Sequence, residues 1–92
     1  MVEHKLKYQS FIKSKGVGAN DKVADSVKSY VSYLESVSRH LNITISPRTL
    51  SSEIDIENIS KKLKRKKVAE KSIKNYGSAM RQYINLVKSR GL

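Results

Sequence analysis

The clearest pattern of apolar and polar positions in this chain lies in residues 69–90. On a helix with about 100° between successive residues, the apolar members fall in one arc that can be buried. They are Ala69, Ile73, Tyr76, Met80, Tyr83, Ile84 and Val87. A separate arc of roughly 100° is polar and contains no acid. It comprises Lys71, Lys74, Ser78, Arg81, Asn85 and Lys88. The pattern predicts a helix with one core face and one face that meets a negatively charged partner.

Gly77 stands in the middle of this predicted helix. An interior glycine costs a helix about 1 kcal/mol relative to alanine. We expect that glycine occurs here because another helix or a backbone approaches closely. A kink in the helix is the alternative explanation.

Apolar spacing predicts three helices upstream, at about 2–15, 21–41 and 55–67, and Gly16 and Gly18 are expected to end the first of them. Asp55 is the expected cap of the third helix. The expected core residues are Leu6, Phe11 and Ile12 in the first helix, Val23, Val27, Tyr30, Val31, Leu34, Val37 and Leu41 in the second, and Ile56, Ile59 and Leu63 in the third. The chain is therefore predicted to be all-α.

Residues 42–54 form the longest connection. Ile43 and Ile45 alternate with polar residues, but one such run cannot make a sheet. Ser46 and Pro47 are expected to open a brief helical turn, which lets Leu50 reach the core.

Length and composition bound the class of protein. A chain of 92 residues suits one domain, so residues 1–92 are expected to form a single helical unit. There is no cysteine, no signal-peptide-like apolar run, and no stretch near the roughly 20 apolar residues of a membrane span. We expect a soluble cytoplasmic protein.

Charge is distributed unevenly. Residues 1–60 hold 8 Lys/Arg and 7 Asp/Glu, whereas residues 61–92 hold 11 Lys/Arg and one acid, Glu70, out of a formal net charge of +11. Positive charge gathered in the last third favours a polyanionic partner, with DNA or RNA ahead of an anionic membrane.

The run KKLKRKK adds to this charge just before the last helix. Its basic residues are Lys61, Lys62, Lys64, Arg65, Lys66 and Lys67. Cations near a helix C-terminus are favourable by about 0.3–1 kcal/mol each, which explains part of the run. Contact with nucleic acid is the preferred interpretation, and a solvated basic rim is the alternative. The outer face of the second helix differs, because there Glu35 precedes Arg39 by four residues and the signs are mixed.

Catalytic and metal-binding patterns are not found. His4 and His40 are isolated, and no HExxH spacing or GxSxG elbow is present. The acids Asp55 and Glu57 lie at an expected helix start, where capping and the helix dipole explain them better than metal binding. We expect no enzymatic activity, no cofactor and no metal.

Two segments together resemble a known family. They are FIKSKGVGANDKVADSVKSYVSYLESV and DIENISKKLKRKKVAEKSIKNYGSAMRQYINLV. The last helix reads Ser72-Ile73-Lys74-Asn75-Tyr76-Gly77-Ser78-Ala79-Met80-Arg81, similar to a Ser/Thr-Ile-x-x-Tyr-x-Ser-Ala-hydrophobic-Arg pattern. With an Asp-Ile step opening the preceding helix, the chain resembles the SAM-like core-binding domain of phage-integrase-type tyrosine recombinases.

That resemblance implies a compact four-helix SAM-like bundle of two helical hairpins that lies against one side of a DNA duplex and serves DNA integration or recombination. Lys74 and Arg81 match the motif, and Lys71, Ser78, Asn85 and Lys88 share their face. The family's catalytic domain is absent, so no tyrosine here inherits a nucleophilic role. Ala69 also stands where a capping Ser or Thr is common. We expect either a stand-alone DNA-binding protein or the non-catalytic N-terminal piece of a recombinase or nuclease.

The first functional hypothesis is therefore duplex DNA binding by the basic faces of the third and fourth helices, with Gln82 and Asn85 placed to contact base edges. The alternative is a protein-interaction module that docks an acidic partner. RNA ranks lower because no exposed aromatic platform is evident, Tyr30, Tyr76 and Tyr83 being expected in the core. A membrane partner is not expected. The sequence predicts no oligomeric state.

Overall fold

A computed structural model describes the backbone of residues 1–15 and 23–92 and the side chains of residues 1–14 and 28–92. Within that part four helices follow one another, named α1 (Lys5–Lys15), α2 (Val23–Leu41), α3 (Glu53–Arg65) and α4 (Glu70–Arg90). α1 packs on α2 and α3 packs on α4, and the contact of α2 with α4 joins the two hairpins. The predicted all-α, four-helix class is confirmed. The turn at Gly16 and Gly18 and the side chains of Val23 and Val27 lie outside the described residues.

The core is built mainly from the predicted apolar faces, and α4 contributes two buried residues beyond those predicted. Leu34, Val37, Ile56, Ile59, Leu63, Met80, Tyr83 and Ile84 are buried as predicted. On α4, Ala79 and Leu86 are also fully buried, because they lie beside the same arc, next to Tyr83. Ala69 was expected in that arc, but it precedes the helix as its N-cap and is exposed. Each large apolar side chain buried in this way stabilises the fold by about 1.5–3 kcal/mol.

α1 uses a different face from the one predicted. Leu6 was expected as an anchor, yet it is 78% exposed. Tyr8, Phe11 and Ile12 form the buried face instead, with the i, i+3, i+4 spacing of one helical side. Leu6 lies about 160° away from Tyr8 around the helix, so it must point to solvent when Tyr8 points to the core.

The first residues of the chain are extended rather than helical. Val2 forms an isolated parallel bridge with Ile45, through hydrogen bonds from the Glu3 amide to the Ile45 carbonyl and from the Ile45 amide to the Met1 carbonyl, both 2.8 Å. Val2 and Ile45 are buried. The expectation of a helix from residue 2 was wrong because these backbone groups pair across to the connection before α3.

Residues 46–50 form the single helical turn that Ser46 and Pro47 were expected to open. The amides of Thr49 and Leu50 donate to the Ser46 carbonyl at 3.1 and 2.9 Å. Leu50 is fully buried, which confirms its predicted place in the core.

α3 begins two residues earlier than predicted. Ser52, not Asp55, is the N-cap, and Asp55 occupies the third helical position. From there its Oδ2 accepts hydrogen bonds from the amides of Ser51 and Ser52 at 2.9 and 3.3 Å. An acid at this position reaches back to the amides before the helix, so it stabilises the start without being the cap itself.

Three helices end on a residue in the left-handed conformation, namely Asn42 (φ 52), Lys67 (φ 63) and Gly91 (φ 65). In each case the next amide donates to the carbonyl five residues back, as from Val68 to Leu63 at 3.1 Å. This is the Schellman arrangement, in which glycine is the preferred residue. Lys67 therefore adopts a strained backbone in the short turn between α3 and α4.

The outer face of α2 does not carry the expected i, i+4 ion pair. Glu35 pairs instead with Lys5 of α1, at 3.1 Å between Oε1 and Nζ. Arg39 donates to Ser36 Oγ at 3.4 Å. Glu35 thus ties α1 to α2 rather than pairing with Arg39 of its own helix.

Candidate nucleic-acid interface

An open groove runs between α3 and α4, with a volume of about 1030 Å³. Its lining includes five cations, Lys61, Lys64, Lys71, Lys74 and Arg81, and one acid, Glu70. All six side chains are exposed or partly exposed. We call this surface the α3–α4 groove. It gathers five of the basic side chains of α3 and α4 on one concave surface.

Helix periodicity explains why these cations meet. Lys61 and Lys64 are one turn apart on α3, and Lys71, Lys74 and Arg81 follow at three- and seven-residue steps on α4. The buried Leu63 on α3 and Met80 on α4 face the core. When those two faces pack together, the neighbouring basic positions of both helices border one channel.

The structure divides the twelve predicted contact residues among different places. Six line the α3–α4 groove, namely Lys61, Lys64, Lys71, Lys74, Ser78 and Arg81. Three others, Lys62, Arg65 and Lys66, border a separate shallow depression with Leu41 and Ile43 at the end of α2. We call this second surface the α2–α3 patch. Lys67, Asn85 and Lys88 are exposed but line neither surface.

The KKLKRKK run is therefore split rather than continuous in space. Leu63 points inward, which places Lys61 and Lys64 on one side of α3 and Lys62 and Lys66 on the other. Six basic residues within seven positions cannot share a helix face, because successive side chains turn by about 100°.

Two of the five groove cations have acidic partners. Arg81 Nε lies 3.1 Å from Glu53 Oε1, and Lys64 Nζ lies 3.9 Å from Glu70 Oε1. The expectation of an unneutralised basic arc on α4 was wrong for Arg81. Its partner lies on α3, 28 residues away in sequence, where the spacing within α4 could not reveal it. Lys61, Lys71 and Lys74 form no salt bridge with any side chain that the structure describes.

Gly77 lies on the wall of the α3–α4 groove. A Cβ placed there would meet nothing within 4 Å, so the expected close approach of another helix was wrong. α4 continues through this position from Glu70 to Arg90. No neighbour within the described protein requires a glycine here.

Polar groups of the groove were only partly foreseen. Ser60 and Asn75 line it, whereas the amides favoured from the sequence, Gln82 and Asn85, lie outside and pair with each other at 3.4 Å. Ser60 precedes Lys64 by four residues, so it shares that side of α3. Ser60 could have been predicted as a groove residue if the side of α3 that faces α4 had been known.

The start of α4 lacks a side-chain cap. Ala69 is its N-cap, in an extended conformation, and offers no acceptor to the first amides. This confirms the expectation drawn from Ala69. Glu70 and Lys71 of the first turn line the groove, so the positive end of the helix dipole adds to its cations.

The aromatic side chains lie elsewhere. Tyr30, Tyr33, Tyr76 and His40 form a chain of ring contacts along the α2–α4 boundary, with centroids 5.7 to 6.3 Å apart. No aromatic side chain lines the groove. The groove thus offers charge and backbone rather than a surface on which bases stack.

Two further features concern the described part of the chain. No group of three or more His, Asp or Glu side chains there could hold a metal ion. No helix in residues 1–15 or 23–92 is long and apolar enough to cross a membrane.

A family model of the phage integrase N-terminal SAM-like domain matches residues 20–91, which is more than half of the chain. The chain belongs to this family. The matched residues include all of α2, α3 and α4, and with them both walls of the groove. Membership of the integrase SAM-like family indicates a DNA-associated domain of the recombinase type. No curated protein and no solved structure matches the chain.

Proposed function

We propose that this integrase SAM-like domain is a non-catalytic DNA-binding unit, which holds duplex DNA against the α3–α4 groove during integration or recombination. The groove itself carries the proposal, because five cations and one acid line a single channel between two helices of the matched region. A polyanion is the partner that such a channel attracts most strongly.

The mechanism is neutralisation of backbone phosphates. Each lysine or arginine that meets a phosphate releases condensed counterions from the duplex, and this release favours binding at low salt. Such contacts position the DNA without reading its sequence. Ser60, Asn75 and Ser78 are the uncharged polar side chains of the groove, and they supply hydrogen bonds that orient the backbone. We therefore expect weak sequence preference.

The five cations differ in whether DNA binding must break an existing ion pair. Lys61, Lys71 and Lys74 have no acidic partner among the described side chains, so a phosphate meets them directly. Lys64 and Arg81 must exchange a carboxylate for a phosphate. Both of their ion pairs are largely solvent-exposed, and such pairs are worth only roughly 0–1 kcal/mol. The exchange therefore costs little.

A salt titration tests the proposal. If about five phosphates are neutralised, the logarithm of the association constant for a mixed-sequence duplex should fall with the logarithm of salt concentration at a slope of roughly −4 to −5. Fluorescence anisotropy measures this slope. Single-stranded DNA and RNA of equal length complete the set, and we expect the duplex to bind most tightly.

The chain supplies its own matched control variant. Replacing Lys61, Lys71 and Lys74 by alanine removes three groove charges, whereas replacing Lys62, Arg65 and Lys66 removes three charges from the α2–α3 patch. The groove variant should reduce the slope to roughly −2. The patch variant should keep nearly the full slope and lose only long-range attraction. Circular dichroism confirms that both remain helical.

Two results would contradict the proposal. One is negligible affinity of the wild-type protein for duplex DNA at low salt. The other is an equal loss in both triple variants, since net charge alone would then explain the binding and the groove would have no special part.

An acidic protein partner is the second candidate function. Ile56 and Ile73 line the α3–α4 groove beside the bare backbone of Gly77, so the groove has an apolar part that a partner helix could fill. Binding to an acidic helical partner would survive nuclease treatment and high salt. DNA binding would survive neither.

A further inference from the structure

Gly77 has no role that the described protein explains. It interrupts the interior of α4, where glycine lowers helix stability relative to alanine. A Cβ at this position would meet nothing within 4 Å. Its backbone is also not among the positive-φ positions. Neither packing nor a left-handed conformation therefore calls for glycine here.

The residues around Gly77 suggest a function for this glycine. Lys74 lies three residues before it and Arg81 four residues after it, and all three line the α3–α4 groove. Residues at this spacing share one side of a helix. Since an α-helix rises about 5.4 Å per turn, the two cations stand about one turn to either side of the partly exposed Gly77 backbone. Because Gly77 has no side chain, the surface of α4 is recessed there, between the positive side chains of Lys74 and Arg81.

We propose that a DNA backbone phosphate binds against the α4 backbone at Gly77, between Lys74 and Arg81. We call this phosphate-binding position the seat. This inference rests on the proposed function of the groove. Glycine allows a ligand to approach the backbone closely, and its Cα hydrogens can contact anionic oxygens weakly. A side chain at this position would hold the phosphate away from both cations, and the attraction falls as that distance grows.

Substitution at Gly77 separates folding from binding. Gly77→Ala should raise Tm by about 4–8 °C, because it removes the glycine from the helix interior. The same variant should bind duplex DNA about five- to tenfold more weakly, as the added methyl group crowds the phosphate. Gly77→Leu should weaken binding further.

Ser89→Ala provides the matched control. Ser89 is exposed on the last turn of α4 and does not line the groove, so this variant changes helix propensity without touching the seat. Its affinity for DNA should equal that of the wild type. The salt slope of Gly77→Ala should also equal that of the wild type, because every cation is retained.

The outcomes distinguish the seat from the groove. Suppose that the wild-type protein shows the expected salt slope, and that Gly77→Ala binds DNA as tightly as the wild type or more tightly. This result would overturn the seat and leave the groove proposal intact. A lower Tm would also overturn it, since the glycine would then serve the fold. Absence of salt-dependent duplex binding by the wild type would overturn the proposed function, and the seat with it.

Discussion

The hydroxyl groups of two buried tyrosines connect distant parts of the chain. Tyr83 on α4 donates to the Glu3 carbonyl at 2.8 Å, and Tyr8 on α1 donates to the Ala79 carbonyl at 2.9 Å. Their rings lie 5.7 Å apart. Burial, and to a smaller extent the charge of Glu3, raises the pKa of Tyr83 to about 12. Burial, followed by the influence of Tyr30, raises the pKa of Tyr8 as well.

We predict alkaline destabilisation from this arrangement. The pKa of Tyr83 is about 12 in the folded protein, against 10.0 for a freely solvated tyrosine such as the unfolded chain presents. The folded state thus favours the neutral phenol, and the resulting stability is complete below pH 10 and lost as pH rises towards 12. Urea unfolding across this pH range measures the loss.

Tyr83→Phe serves as the control for that prediction. The variant should lose about 1 kcal/mol at neutral pH through the missing hydrogen bond. Its stability should then fall less steeply with alkaline pH than that of the wild type. An identical pH dependence would show that Tyr83 does not contribute to the alkaline loss.

Residues of α1 show what apolar spacing alone could predict. Phe11 and Ile12 were predicted as core residues, but so was Leu6, whereas the buried Tyr8 was not among the predicted core residues of α1. The buried hydroxyl of Tyr8 is satisfied because the Ala79 carbonyl lies within its reach. A partner 71 residues away cannot be read from the pattern of a single helix.

At the scale of elements, the start of α4 is less well capped than the start of α3. α3 begins with Ser52 and the carboxylate of Asp55, whereas α4 begins with Ala69 and has no side-chain acceptor. The extended backbone of Ala69, with φ −60 and ψ 140, is of the kind that an N-cap residue adopts.

Ala69→Ser should therefore stabilise the protein. A serine oxygen can accept a hydrogen bond from the amides of the first turn, which is worth about 0.5–2 kcal/mol. Thermal unfolding followed by circular dichroism measures the gain. Ala69→Val is the matched control, because valine offers no acceptor and ranks with alanine as a cap. Equal Tm values for the serine and valine variants would refute the explanation.

Element boundaries were predictable where local chemistry sets them. The position of α4 was predicted to within one residue, because its apolar arc is long and Gly91 ends it. α1 and α3 began elsewhere than predicted. For α1 the cause is the pairing of Val2 with Ile45, and for α3 it is the reach of Asp55 back to Ser51 and Ser52. The α1 boundary depends on a contact between separate segments.

At the scale of the whole molecule, packing decides which cations act together. The sequence concentrates positive charge after residue 60 and predicts a basic surface. It cannot show that Lys61 joins Lys71 and Lys74 across a groove while Lys62 turns towards Ile43. The pairing of Arg81 with Glu53 likewise depends on how α3 lies against α4. Charge was predictable from composition, and its grouping was not.

The central claim is that the α3–α4 groove, and not positive charge in general, holds duplex DNA. Amide chemical shifts recorded by NMR while duplex DNA is added test this claim most directly. We predict that the largest changes occur at Ser60, Lys61, Lys71, Lys74, Gly77 and Ser78. Changes centred on Lys62, Arg65 and Lys66, or small changes spread evenly over all exposed lysines, would contradict it.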